Sequence, residues 1–376
     1  MATAMLLLAG LLTVYSASFA VGYLEYDNAN YFVVRQAIYA VAGVCALVYF
    51  MRLDYRQLRY LAVPMMVVAL LGLLAVLVPG IGVERNGARR WLELGPVSFQ
   101  PSEFAKLAII IYISAWLAGR KEISKFSLGL VPFVLMVSLV GGLVIVEPDM
   151  GTAIIIVLTT STLFFVAGAP LSHLALLMAS GGAVSYFMIL VQDYRLDRIT
   201  SFVSPESDPQ GNGFHILQLL IALGSGGVTG LGWGVSRQKF FYVPGAHTDG
   251  VFAIIGEELG FIGLAGILAL FAFFVFRGLK ATYASKDQFG TLLGIGIVSW
   301  IAYQTLINVG GITRSIPLTG VPLPFLSYGG SALIAVMAGA GVLLSVSRYG
   351  RGRGERPKPR AQRYARSRAA AEKEAR

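Results

Sequence analysis

Several stretches of this chain place chemically capable residues close together. The densest is Ser236-Arg237-Gln238-Lys239-Phe240-Phe241-Tyr242-Val243-Pro244-Gly245-Ala246-His247-Thr248-Asp249, which runs straight into an apolar helix. Asp249 at that helix mouth either caps the helix or serves as a base; the helix N-terminus favours its carboxylate, whereas burial beside an anion would raise its pKa. His247 reads as a hydrogen-bonding neighbour rather than as the catalyst. A second stretch, Gln100-Pro101-Ser102-Glu103-Phe104-Ala105-Lys106, opens another helix, and a spacing of three puts Glu103 and Lys106 on one face. They form either a structural ion pair or a cation offered to an anionic substrate, with Glu103 orienting it.

Two further clusters have the same ambiguity. Arg85-Asn86-Gly87-Ala88-Arg89-Arg90-Trp91 is either a solvated loop or a binder of phosphate headgroups, for which the guanidinium fork is suited. In Glu147-Pro148-Asp149, Asp149 either caps the next helix or joins Glu147 in inviting a cationic or metal partner. The run from Pro317 to Ser331, which contains Ser327, is broken by prolines; such backbone is tolerated at membrane depth only inside protein or along a polar cavity.

The elements that must position these residues follow from composition. With 376 residues, 56% hydrophobic and only 13% charged, the chain carries more apolar side chain than a soluble core encloses. Apolar runs long enough to cross a bilayer recur from end to end without barrel-like alternation. The expected fold is therefore an all-α polytopic membrane protein of about ten transmembrane helices. The spans read as 1–22, 32–51, 60–79, 101–118, 127–146, 152–168, 173–192, 251–276, 288–310 and 326–347. The N-terminal apolar stretch lacks a basic leader and reads as the first span rather than a secretory signal.

Most of the 30 lysines and arginines fall inside if both termini are cytoplasmic, although the tail supplies much of that excess. Residues 1–347 then form the membrane domain, with functional outer loops at 80–100 and 193–250, the second between helices 7 and 8. Residues 348–376 read as a basic, disordered cytoplasmic tail drawn to anionic lipid. Segment 214–235 is apolar enough to lie on or dip into the membrane. Gly256, Gly260, Gly263 and Gly266, running through Glu257-Glu258, suggest a small-residue packing face. The lone Cys45 reads as core filler.

Taken together, these motifs resemble the SEDS family (shape, elongation, division and sporulation), which includes FtsW and RodA. The likeness rests on Tyr15-Ser16-Ala17-Ser18, Arg90-Trp91, Gln100-Pro101-Ser102-Glu103 with Lys106, Glu147 to Ala153, His247-Thr248-Asp249 and Pro322 to Ser331. Ser236 to Tyr242 and Gly256-Glu257-Glu258 look more like FtsW than RodA. His215 and Arg314 depart from the usual pattern. The resemblance implies a glycosyltransferase that polymerises lipid II on the outer face of the bacterial cytoplasmic membrane, in division at the septum or in elongation. It also implies a class B penicillin-binding protein as partner, alongside other divisome or elongasome membrane proteins and no nucleic acid. Asp249 matches the family's essential acidic residue.

Such an enzyme displaces a lipid diphosphate from an α-linked sugar with the 4-hydroxyl of another sugar, giving a β-1,4 link by a single inversion. Asp249 is the expected base, and cations stabilise charge on the leaving diphosphate. Lys106 is the first choice of cation, then Arg90, Arg237 and Lys239; Glu103, His247, Asp149 and Ser327 complete the expected substrate site. These motifs single out no cofactor, and their spacing is compatible with a divalent ion on Asp149 or Glu147 without proving one. The rival readings are a flippase for the same lipid, for which no repeated Glu103/Lys106 or His247/Asp249 pattern is present, and a noncatalytic scaffold.

Overall fold

Every apolar run forms a helix, since within lipid only intra-segment hydrogen bonds satisfy the backbone of a lone span. The computed structural model describes residues 1–351 apart from Asn86, Pro96, Gln192 and Asn212. The basic tail beyond Arg351 lies outside the described residues. The helices of the membrane domain are α1 (Ala2–Tyr26), α2 (Tyr31–Arg52), α3 (Gln57–Leu77), α4 (Pro101–Leu117), α5 (Val131–Val146), α6 (Met150–Val166) and α7 (Leu171–Val191). A π-helical turn, Phe126–Leu130, leads into α5. Two more helices, α8 (Asp193–Val203) and α9 (Phe214–Gly226), occupy the long loop that follows α7, and α10 (Val251–Tyr283), α11 (Gln288–Ile312) and α12 (Gly330–Arg351) complete the set.

Among the described residues, seven helices are long and apolar enough to cross a membrane, with α6 and α9 among the shorter apolar ones. Leu71, Leu135, Phe261 and Phe276 point outward at 60–68% exposure, a surface that belongs against acyl chains. Inside, α4, α11 and α12 are the most deeply buried helices, each with more than half of its residues shielded. The most extensive helix contact joins α2 to α12, where a Cβ on Gly341 would stand 2.5 Å from the Leu47 carbonyl oxygen.

Two regions differ from expectation. Residues 80–100, expected as an outer loop of an all-α protein, carry a three-stranded antiparallel sheet of β1 (Gly82–Arg85), β2 (Ala88–Leu94) and β3 (Val97–Phe99). Its cross-strand pairs include Val83 with Trp91 and Leu92 with Phe99, so the sheet fixes where Arg90 points. The expected glycine face of α10 is also not a uniform packing stripe. Gly256 seats Leu223 of α9, but Gly266 meets open space and Gly260 breaks the helix at φ 64° and ψ −166°. The freed backbone pairs with the loop before it: Leu231 and Gly232 donate to the carbonyls of Glu257 and Glu258, both at 3.0 Å. In return Phe261 and Ile262 donate to Gly227 and Val228 at 2.9 and 3.1 Å. The broken helix is thereby satisfied within protein.

Candidate active site

The break in α10 leaves Glu257 and Glu258 buried, and both organise the outer loop instead of merely packing. Glu257 accepts from the Ser236 hydroxyl at 2.5 Å and from the backbone N–H groups of Arg237 and Gln238 at 2.9 and 3.3 Å. Glu258 pairs with the Lys239 amine at 3.0 Å, while the Ser16 hydroxyl lies 2.6 Å from it. These bonds staple residues 236–239 to α10 and α1. The chain then turns back through Gly245, at φ 63°, and reaches Asp249 just before the helix.

Asp249 does not cap α10, whose N-cap is Gly250. Its carboxylate is half-buried, accepts a bond from the Thr248 hydroxyl at 3.0 Å, and lines a cavity of about 930 Å³. Its backbone is held from below: Asn308 of α11 donates to the Asp249 carbonyl at 3.0 Å and to the Val321 carbonyl at 2.8 Å. One turn earlier on α11, Gln304 donates to the Pro322 carbonyl at 2.9 Å and accepts from the Lys106 amine, also at 2.9 Å. The proline-broken run is thus bolted to α11 beside Asp249. Neither Asn308 nor Gln304 stands out in sequence, because one amide inside an apolar span carries no pattern.

Of the expected site residues, Asp249, His247, Arg90, Glu103, Asp149 and Lys239 share this cavity wall. Lys106, Arg237 and Ser327 do not reach it. Lys106 is 1% exposed and locked to Glu103 at 2.8 Å. Arg237 faces outward with its backbone on Glu257. Ser327 is buried and accepts the Leu323 N–H at 2.7 Å, bracing the loop. Arg90 donates to the backbone carbonyls of Glu147, at 2.9 Å, and Pro148. Asp149 caps α6 through the Thr152 N–H at 3.0 Å.

Burial lowers His247 to about 4 against the opposing Asp249 charge, so its ring is neutral at neutral pH and offers no cation. It packs against Phe32 and Tyr328 at 4.6 and 5.6 Å between centroids. Burial also raises the Glu147 carboxyl to about 8, with Asp149 adding to the effect and Arg90 opposing it. Both Glu147 oxygens are buried without a hydrogen-bond partner. Its folded pKa lies above the unfolded value, so its contribution to stability is full below about 4.5 and lost as pH rises through about 8. The Glu147→Gln variant removes this titration. Its melting-temperature gain over the parent is expected to grow from pH 5 to 8 and then level off, as a thermal melt series in detergent reads directly.

The donor set does not form a closed ion cage. Among the described residues no group of three or more His, Cys, Asp or Glu side chains gathers, and Asp149 commits one oxygen to its cap. A Mg²⁺ ion carried by a diphosphate needs only one or two carboxylates, and Asp149 is the one that fits that lesser role.

Comparison with known proteins agrees with this architecture. The family model for the FtsW, RodA and SpoVE proteins, described as cell cycle protein, matches residues 1–352. Stage V sporulation protein E of Bacillus subtilis is 43% identical over 350 residues, covering 93% of this chain and 96% of that one. A probable peptidoglycan glycosyltransferase FtsW of Geobacter metallireducens is 38% identical over 339 residues, covering 90% of each. Among solved structures, a chain from a study of polymerisation and crosslinking by a peptidoglycan synthase complex aligns at TM-score 0.78 and 28% identity, covering 93% of this chain and 98% of that chain. RodA of Thermus thermophilus aligns at TM-score 0.69 and 29% identity, covering 93% and 95%. A ten-run apolar pattern folded around a polar cavity, together with these matches along nearly the full length, shows that this polytopic helical membrane protein belongs to the FtsW/RodA/SpoVE family.

Proposed function

We propose that the protein is a peptidoglycan glycosyltransferase, joining lipid II units into β-1,4-linked glycan at the outer face of the bacterial cytoplasmic membrane. One observation carries this reading: an uncapped Asp249 carboxylate opens into a cavity that Arg90 also lines. The 4-hydroxyl of one sugar attacks the anomeric carbon of another as the bond to the undecaprenyl diphosphate breaks. Asp249 takes the hydroxyl proton, the electron pair leaves on the diphosphate, and Arg90 offsets the charge that develops there. One displacement inverts an α-linkage to β. Lys239, neutralised by Glu258, acts mainly by holding the loop. The names of the relatives support this reading, and the pairing of polymerisation with crosslinking in the matched synthase complex supports a crosslinking partner. The sequence motifs favour a class B penicillin-binding protein in that role, together with divisome or elongasome proteins and a place at the septum.

The deciding assay reconstitutes the chain with its transpeptidase partner and supplies lipid II. Glycan polymer is expected; lipid crossing the vesicle bilayer with no polymer would establish a flippase instead. A second expectation concerns Asn308, a positioning residue for Asp249. Asn308→Ala frees both carbonyls it holds and is expected to lower kcat about tenfold with little change in KM, the loss of one catalytic alignment rather than of binding. Equal falls in kcat and thermal stability in Asn308→Ala and Asn308→Leu, with KM raised, would reduce it to a structural role.

A further inference from the structure

Arg35 is the cation in this cavity that neither the sequence motifs nor the reaction as described above employs. It lies in the first turns of α2, facing the cavity, where a charge is costly unless it has a partner. Its guanidinium stacks over the Tyr31 ring at 4.4 Å and sits beside the Tyr328 hydroxyl, and it forms no ion pair among the described residues. Lys106 and Lys239, by contrast, are each neutralised by a buried glutamate. Stacking and a phenol fix the orientation of the guanidinium but leave its charge unspent.

The position is close to the base. Tyr328 donates its backbone N–H to the His247 carbonyl at 2.8 Å, and the two rings pack together, two residues from Asp249. Gln36, the next residue on α2, holds the same loop by donating to the Ser327 carbonyl at 3.2 Å and accepting from the Gly329 N–H at 3.3 Å. Arg90 belongs to a different wall, anchored on the turn between α5 and α6. The cavity therefore presents two guanidinium groups on separate walls, neither of them in a salt bridge among the described residues.

We propose that Arg35 forms a second subsite for a lipid-borne phosphate, holding the diphosphate of the substrate that supplies the attacking hydroxyl while Arg90 serves the diphosphate that leaves. This rests on the proposed transferase reading, in which both sugars arrive on lipid diphosphates. Two such anions in one low-dielectric cavity repel unless each meets its own cation, and guanidinium is the group that grips phosphate through paired donors. The acceptor keeps its diphosphate through the reaction. Its subsite must therefore bind without promoting bond breakage, which suits an arginine positioned by stacking near the base.

The test titrates the full chain in phosphatidylcholine nanodiscs with farnesyl diphosphate by calorimetry. Two equivalents are expected for the parent and one for either Arg35→Gln or Arg90→Gln, with Arg35→Lys retaining the second equivalent at affinity weakened no more than about tenfold. In polymerisation, Arg35→Gln is expected to raise the KM for lipid II about tenfold or more, exceeding its effect on kcat, while Arg90→Gln acts chiefly on kcat. Parent-like stoichiometry in folded Arg35→Gln overturns the proposal, as does loss of both equivalents in that single variant. Loss of the Arg35-dependent equivalent when the discs contain phosphatidylglycerol also overturns it, since the site would then belong to ordinary headgroups. If two equivalents bind but no polymer forms, the transferase reading fails while the subsite stands as a phosphate site.

Discussion

Replacing Asp249 with asparagine is expected to lower the rate of glycan formation by about 10²–10⁴-fold, the contribution of a general base, with the fold intact. The structure explains why the two effects separate. Among the described residues the Asp249 carboxylate caps no helix, enters no ion pair and accepts one hydrogen bond, from the Thr248 hydroxyl, which the amide oxygen can also accept. The backbone that positions it is held by Asn308, which the substitution does not touch. The measurements are initial polymerisation rates from lipid II and a thermal melt of the same preparation. A variant that polymerises within about threefold of the parent would remove Asp249 from the chemistry. Asp249→Glu is expected to recover little, because a longer carboxylate moves the base relative to the hydroxyl it must meet.

The second large effect is on stability. Lys106→Met leaves the Glu103 carboxylate, 2% exposed, without its countercharge. Removing one partner of a buried pair costs about 3–5 kcal/mol, since the remaining charge stays desolvated. Lys106 also bonds to Gln304, which holds the Pro322 carbonyl of the loop beside Asp249, so the loss reaches the active site through packing. The double variant Glu103→Gln/Lys106→Met deletes both charges and is expected to recover most of the melting temperature without fully restoring rate. Activity lost in Lys106→Met at unchanged melting temperature would instead mean that the amine acts on substrate directly. The 1% exposure of Lys106, and its absence from the cavity wall, argue against that.

Much was legible before any coordinates. The apolar runs announce helices because lipid allows a lone segment no other hydrogen-bonded form, and seven of the described helices are long and apolar enough to cross a membrane. Glu103 and Lys106 pair as their spacing of three predicts, a local relation that helix geometry alone imposes. Motifs spread from Tyr15 to Ser331 carried the family, since each combines rare intramembrane polarity with fixed neighbours; the likeness to a sporulation relative was not singled out.

What the sequence could not decide were relations between distant segments. Lys106, read as the foremost substrate cation, turns inward to Gln304, 198 residues away, because a buried amine must find every partner it can. Ser327 and Arg237 lie beside the site in sequence yet do not reach its wall, whereas Arg35 does, from a helix more than 200 residues earlier than Asp249. The sheet at 82–99 and the break at Gly260 carry no sequence signal for a related reason: short strands show too little alternation, and a glycine in a span looks the same whether it packs a helix or interrupts one. Composition and spacing determined the helices and the chemical repertoire of this protein. Which charges neutralise one another, and which remain free to meet a substrate, was decided only when tertiary packing chose their partners.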